Sequence, residues 1–314
     1  MHPPFNVLPS STRFAFALGM LWAAASGAQS ESTGTRLWLV EDVNAPQVKR
    51  AVLYSTAAKT QVSYFIYRPE IYDADQGRRF PVLYWLHGTG GGRSGVRPLA
   101  EHFDRAIREE KIPPMLVVFA NGLSASMWCD SADGSVPMET IVIRELVPHI
   151  DANYRTIPGR EGRLLEGFSM GGYGAARLGF SHHDVFGTVS ILGAGPMDLH
   201  FAGPRATTNP AERERILRDV YGGEMKNFEA RSPWRIAEQH AERLRSGLHV
   251  RLAIGERDFT LPANRKFHTH LEELRIPHEF SVAPEAKHNP LELFLAMGEP
   301  NWQFYRRVFG HLAR

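Results

Sequence analysis

The stretch Arg163-Leu-Leu-Glu-Gly-Phe-Ser-Met-Gly-Gly172 decides the fold. Its first part, Arg163 to Gly167, reads as a short strand, and the glycine-rich segment from about Met170 to Phe180 reads as a helix. Ser169 therefore stands where a strand turns sharply into a helix. In the pattern Gly167-Phe168-Ser169-Met170-Gly171 the turn is so tight that Cβ atoms at the flanking positions would strike neighbouring backbone. Glycine removes that clash, and the turn lifts the serine hydroxyl clear of the sheet. The new helix directs its unpaired N–H groups and the positive end of its dipole toward the place where a carbonyl would react. A five-residue match of this kind also arises by chance, as a glycine-lined turn with a bystander serine. Its place at a strand-to-helix junction, with Gly172 and Gly174 continuing the close packing, is what gives it weight.

Outward from this point the chain repeats strand, loop and helix. Upstream, Gln47 to Thr56 and Thr60 to Arg68 alternate in the strand rhythm and predict an antiparallel lead-in pair. Phe80 to Leu86 is an unbroken apolar run that fits a strand buried on both faces. A helix is predicted over Arg97 to Glu110, a second buried strand over Met115 to Ala120, and a helix over Met138 to Asn153. Downstream come a strand over Phe186 to Leu192 and a polar, helix-biased insertion over residues 194 to 247, placed to roof part of the site. A strand over Leu248 to Ile254, a helix over Pro262 to Leu274, a strand over His278 to Ala283 and a helix over Asn301 to Leu312 complete the chain. This alternation predicts an α/β fold with a mainly parallel central sheet and helices on both faces.

A serine hydroxyl is a poor nucleophile until a histidine takes its proton, and the histidine needs an acid to fix its tautomer. On a sheet of this type the order is Ser, Asp/Glu, His, each just past a strand. Asp258, in Gly255-Glu-Arg-Asp258, is the predicted acid, with Glu256 as its competitor because both follow the same strand. His288, in Pro284-Glu-Ala-Lys-His288, is the predicted base. The oxyanion donors are expected to be the N–H of Met170 and an N–H from the loop His87-Gly-Thr-Gly-Gly-Gly92, with Thr89 first and Gly90 as the fallback. A merely flexible glycine loop is the alternative reading.

The 314 residues carry 43 % hydrophobic side chains, enough for a large buried sheet, and a formal net charge of +2. No face or tail is strongly basic, so nothing points to a nucleic-acid partner. Cys129 is the only cysteine, which excludes an intrachain disulfide and makes a small core or loop residue the plainer reading of that thiol. The pair His182-His183 reads as solvated. No His-Glu-x-x-His or Cys/His cluster supports a metal, and the chemistry needs no cofactor. Phe14 to Ala25 is apolar and small, preceded by Arg13 and followed by Ser26-Gly-Ala28, which describes a signal peptide over residues 1–28. The run is shorter than the about 20 residues a spanning helix needs, so no membrane span is expected after processing, and a secreted or periplasmic location follows. Residues 29–46 are expected to be a loose mature N-terminus ahead of one domain over 47–314.

With these pieces placed, the chain resembles the putative-esterase family related to esterase D, within the α/β-hydrolases. That family includes feruloyl and acetylxylan esterases of carbohydrate esterase family one, S-formylglutathione hydrolase, enterochelin esterases and the antigen 85 mycolyltransferases. The matching residues are Phe80-Pro-Val-Leu-Tyr-Trp-Leu-His-Gly88, Asn121-Gly122, Trp128, Glu139-Thr140, Glu145-Leu-Val-Pro-His-Ile-Asp151, Tyr154-Arg-Thr156 and Glu166-Gly-Phe-Ser-Met-Gly-Gly172. The resemblance implies an α/β-hydrolase fold, a Ser169–Asp258–His288 triad, Thr89 and Met170 as oxyanion donors, and Trp128 and Glu139 as residues that shape the site. It implies a serine esterase acting on carbohydrate-linked or other extracellular esters. Its rivals are an acyltransferase of the antigen 85 type and a binding protein that keeps the fold without catalysis. Two departures stand out: His288 is followed by Asn289-Pro290 rather than an aromatic or acidic residue, and the acid loop Glu256-Arg-Asp258 differs from that of many relatives.

Overall fold

Alternation within single strands shows how the central sheet is buried. In β3 (Val82–Leu86), Val82, Tyr84 and Leu86 enter one apolar cluster, while Leu83 and Trp85 enter a second on the opposite face. A strand whose two faces both meet apolar layers has no polar side to show, hence the continuous run. The computed structural model describes residues 37–195, 197 and 210–312. The predicted signal peptide and the start of the 29–46 segment lie outside them.

The other strands are β1 (Val48–Ser55), β2 (Thr60–Tyr67), β4 (Leu116–Phe119), β5 (Arg163–Phe168), β6 (Thr188–Leu192), β7 (His249–Gly255) and β8 (Glu279–Ala283). They form one eight-stranded sheet in the order β1-β2-β4-β3-β5-β6-β7-β8. β1 pairs antiparallel with β2 and β2 antiparallel with β4; every other neighbour is parallel. The architecture is the α/β-hydrolase fold, and the lead-in pair stands at one edge of the sheet.

The helices are α1 (Ile71–Ala74), α2 (Arg93–Arg108), α3 (Met138–Thr140), α4 (Val147–Asn153), α5 (Met170–Ser181), α6 (Pro210–Tyr221), α7 (Met225–Ala230), α8 (Pro233–Leu244), α9 (Leu261–Glu273), α10 (Pro290–Met297) and α11 (Glu299–Phe309). Apolar residues of α2, α10 and α11 cover one face of the sheet, and those of α4 to α9 the other. No helix among the described residues is long and apolar enough to cross a membrane.

Several expected elements change shape, each for a local reason. α2 begins four residues before the expected Arg97 and so carries Pro98 in its second turn rather than at its start. The expected single helix over Met138 to Asn153 contains a π-helical stretch at Ile141–Leu146, just before Pro148, whose missing N–H cannot continue the ordinary ladder. α10 was not expected from the sequence at all. Asn289 caps it, its Oδ1 accepting the N–H groups of Leu291 and Glu292, and Pro290 is its first residue. The Asn289-Pro290 departure from the family pattern is thus a helix start.

The segment expected to be loose is tied down where it is described. Residues 37–46 hold no helix or strand, yet Trp38 O accepts from Ser63 N–H at 2.9 Å and Val40 N–H donates to Ser63 Oγ at 2.8 Å. Asn121 Nδ2 donates to the carbonyls of Leu37 and Trp38, and Arg93 to those of Glu41 and Asp42. Backbone groups that find partners in the body of the protein need no secondary structure to be fixed.

One buried polar row crosses the sheet beneath the elbow. Glu166 of β5, Ser190 of β6 and Arg251 of β7 stand in register, and Glu166 and Arg251 are 0 % and 2 % exposed. Arg251 donates to Glu166 Oε2 at 2.6 Å, to Ser190 Oγ at 3.0 Å and to Asn301 Oδ1 at 2.8 Å, while Tyr305 donates to Glu166 Oε1 at 2.8 Å. Removing Glu166 or Arg251 would leave the other as an unpaired buried charge, a cost of about 3–5 kcal/mol. The row locks α11 onto the strand that leads into Ser169.

Candidate active site

Ser169 sits at the carboxyl end of β5 with φ 61° and ψ −121°, a conformation that L residues rarely adopt. Close neighbours on both sides hold the chain in that conformation. A Cβ on Gly167 would overlap the Gly171 carbonyl, and one on Gly171 would overlap the Leu86 carbonyl. The Ser169 N–H donates to Leu192 O at 3.0 Å, and its own carbonyl accepts from Tyr173 and Gly195. Backbone on both sides therefore holds the strained turn.

Three side chains from three loops meet at this point. His288 Nε2 lies 2.9 Å from Ser169 Oγ, and His288 Nδ1 lies 2.7 Å from Asp258 Oδ2. A carboxylate only accepts, so the ring proton belongs on Nδ1, which leaves the Nε2 lone pair for the serine hydroxyl. The imidazole is packed between the rings of Phe168 and Phe259, at 4.7 and 4.4 Å between centroids. Asp258 is 4 % exposed, and its Oδ1 accepts both the N–H and the hydroxyl of Thr260 at 2.8 Å. Gly193, with φ +48°, makes room for this carboxylate, since a Cβ there would lie 3.1 Å from Asp258 Oδ2.

Glu256 takes no part in this cluster. It is exposed, and its carboxylate accepts the Glu285 N–H at 3.1 Å. The turn closed by Asp258 N–H on Gly255 O sends the two acids of the loop in different directions.

Met170, the first residue of α5, is fully buried at the elbow. Gly88 lies against the serine: a Cβ on it would stand 3.1 Å from Ser169 Cβ and 3.6 Å from Oγ. Thr89 follows it, half-buried. The fallback donor, Gly90, is committed elsewhere, since its N–H donates to Ser124 O at 2.8 Å.

Trp128 lies behind this loop rather than in the line of the three side chains. Its indole fills the space that side chains at Gly122 and Gly174 would occupy, and its Nε1 donates to His87 O at 3.1 Å. Met127 and Trp128 both have left-handed backbone, φ 54° and 53°, which costs about 1–2 kcal/mol each. The Trp128 carbonyl is held by Arg177 Nη1 at 3.1 Å. Glu139 acts one step further out, bonding Arg177 at 2.5 Å and His182 Nε2 at 2.7 Å. Burial raises the Glu139 carboxyl, but the His182 hydrogen bond and the Arg177 charge outweigh it and hold it at about 2. His182 is thus a hydrogen-bond partner of Glu139 and not the solvated residue expected from the sequence.

Arg177 and His87 are site-supporting residues that the sequence reading passed over. The signal for Arg177 is a lone charge in a helix that carries no other charged residue. Cys129 is fully buried, and burial raises its thiol above the ordinary value. No group of three or more metal-ligating side chains occurs among the described residues.

A sheet that brings Ser169, Asp258 and His288 together on the loops after β5, β7 and β8 has the side-chain arrangement of a serine hydrolase on an α/β-hydrolase fold. The model of the putative esterase family matches residues 55–283, and the chain belongs to that family. An esterase of Mycobacterium tuberculosis is 28 % identical over 226 residues, 66 % of this chain and 48 % of that protein. The endo-1,4-beta-xylanase/feruloyl esterase of Xylanibacter ruminicola is 28 % identical over 172 residues, 49 % of this chain and 22 % of that protein. The chain spans about half the length, or less, of these curated relatives. Among solved structures, a ferulic acid esterase superposes with a TM-score of 0.69 at 23 % identity, covering 83 % of this chain and 98 % of that one. The S-formylglutathione hydrolase of Staphylococcus aureus gives 0.63 at 16 % identity, covering 84 % and 97 %.

Proposed function

We propose that this chain is a serine esterase that works through an acyl-enzyme on carbohydrate-linked or similar small esters. The observation that carries the reading is the line from Asp258 Oδ2 through both nitrogens of His288 to Ser169 Oγ, with contacts of 2.7 and 2.9 Å. Ser169 Oγ attacks the ester carbonyl while His288 Nε2 takes the hydroxyl proton. The carbonyl oxygen becomes an oxyanion that the N–H groups of Met170 and Thr89 stabilise, each such donor being worth about 3 kcal/mol. The imidazolium, steadied by Asp258, then returns the proton to the leaving alcohol as the C–O bond breaks. Water enters, gives its proton to His288, and releases the acid by the reverse path.

The substrate class is supported by kinship with proteins named ferulic acid and feruloyl esterases. The test is a panel of p-nitrophenyl acetate, methyl ferulate, acetylated xylan and a long-chain p-nitrophenyl ester. Turnover of the acetyl or feruloyl esters, with free acid as product, is expected. No turnover of any member, or acyl transfer to an added sugar in place of hydrolysis, would count against the reading.

A further inference from the structure

The peptide joining Gly88 to Thr89 is gripped by a histidine that the proposed mechanism does not use. His87 is buried, with Nε2 2.9 Å from the Gly122 nitrogen and Nδ1 2.7 Å from the Gly88 carbonyl oxygen. A backbone N–H can only donate, so Nε2 is the acceptor; the ring proton then sits on Nδ1 and is donated to Gly88 O. Burial pushes this imidazole down to about 4, so the ring is neutral near pH 7 and this tautomer alone satisfies both partners. Packing fixes the ring as well. A Cβ on Gly92 would stand 2.6 Å from its Cδ2, and the Trp128 ring meets it edge-on at 5.1 Å.

The consequence lies in peptide geometry. In a planar trans peptide the C=O and the N–H point in opposite directions. Anchoring Gly88 O on His87 Nδ1 therefore turns the Thr89 N–H away from the imidazole, and Gly88 itself lies against Ser169. We infer that His87 is a positioning residue: its hydrogen bond to the Gly88 carbonyl sets the plane of the Gly88–Thr89 peptide and aims the Thr89 N–H at the oxyanion formed on Ser169. This rests on the serine-esterase reading and adds to it the group that orients one donor. The bond from Gly122 serves to hold the ring in place.

The two hydrogen bonds can be separated by substitution. Asn carries an amide nitrogen near the position of Nδ1, so His87→Asn keeps the bond to Gly88 and loses the one from Gly122. Gln reaches the position of Nε2, so His87→Gln keeps the bond from Gly122 and loses the one to Gly88. For both full-length variants kcat and KM on p-nitrophenyl acetate, the inhibition constant of phenylboronic acid (which forms a tetrahedral adduct with an active-site serine), and the melting temperature are measured. His87→Gln is expected to lose about 10²–10³-fold in kcat with KM unchanged, and to lose boronic-acid affinity in parallel, because only transition-state binding is affected. His87→Asn is expected to stay within about tenfold of the parent in kcat. Equal kcat and boronic-acid affinity in the two variants would overturn the inference. So would a loss of about 10²-fold or more in His87→Asn at parental melting temperature, which tests it even if the Gln variant does not fold. Ser169→Ala separates the layers: turnover retained there removes the esterase reading itself, whereas an inert Ser169→Ala beside a fully active His87→Gln removes only the role of His87.

Discussion

Ser169→Ala is expected to fold normally and to lose on the order of 10⁶ in kcat for ester hydrolysis. The fold is spared because the elbow does not depend on the hydroxyl. The turn is held by the Ser169 N–H on Leu192 O and by the close approach of Gly167 and Gly171 to neighbouring backbone, and Ala keeps all of these. The lost contact is the 2.9 Å bond to His288 Nε2, and that side chain is 20 % exposed, so water can take the place of Oγ. Circular dichroism and thermal melting check the first half, and initial rates on p-nitrophenyl acetate the second. Turnover near that of the parent would remove Ser169 from the mechanism.

Asp258→Asn is expected to cost about 10⁴ in kcat, through the tautomer of His288 rather than through its position. The side-chain surroundings decide which way the new amide faces. Thr260 donates twice to Oδ1, so the amide oxygen must stay there and the amide nitrogen must take the place of Oδ2, 2.7 Å from His288 Nδ1. Two donors cannot share that contact, so Nδ1 becomes the acceptor and the ring proton moves to Nε2, where it faces Ser169 and blocks proton transfer. Glu256→Gln, by contrast, changes an exposed side chain bonded to the Glu285 N–H, and its effect should stay within about twofold in rate, the equivalent of ~0.5 kcal/mol. Rates for the two variants side by side check the assignment, and a larger loss from Glu256→Gln would reverse it.

How much of this was readable from the residues depends on how local each cause is. The strands were legible because burial on both faces turns them into unbroken apolar runs, as in Val82–Leu86. The serine was legible because its glycines answer a steric demand made within five residues, Gly167 to Gly171. The choice between Asp258 and Glu256 was not, because a tight turn after β7 decides which carboxylate faces inward, and both residues suit the loop chemically. α10 does carry a local signal, Asn289 as a capping residue followed by Pro290 at the first helical position, but its eight residues lack the polar face that makes a longer surface helix legible.

The supporting shell was least legible, since its members find one another across long sequence distances. Glu139, Arg177 and Trp128 form one relay from three separate segments, ending at the His87 carbonyl. Glu166 and Arg251 pair across two strand spacings. Glu166, Arg177 and Arg251 are each a lone acidic or basic charge within a mostly apolar stretch. A lone charge that cannot reach water must find a partner, so opposite charges of this kind in different strands or helices are a signal that they meet.

The central claim is that the Ser169 hydroxyl, with His288 and Asp258 behind it, is the group that reacts. Its most direct test is to incubate the protein with a fluorophosphonate at stoichiometric concentration and to map the adduct by peptide mass spectrometry. One adduct on the peptide containing Ser169, formed in step with loss of esterase activity, is the expected result. An adduct on a different serine, or ester hydrolysis that continues after Ser169 is fully modified, would contradict the account.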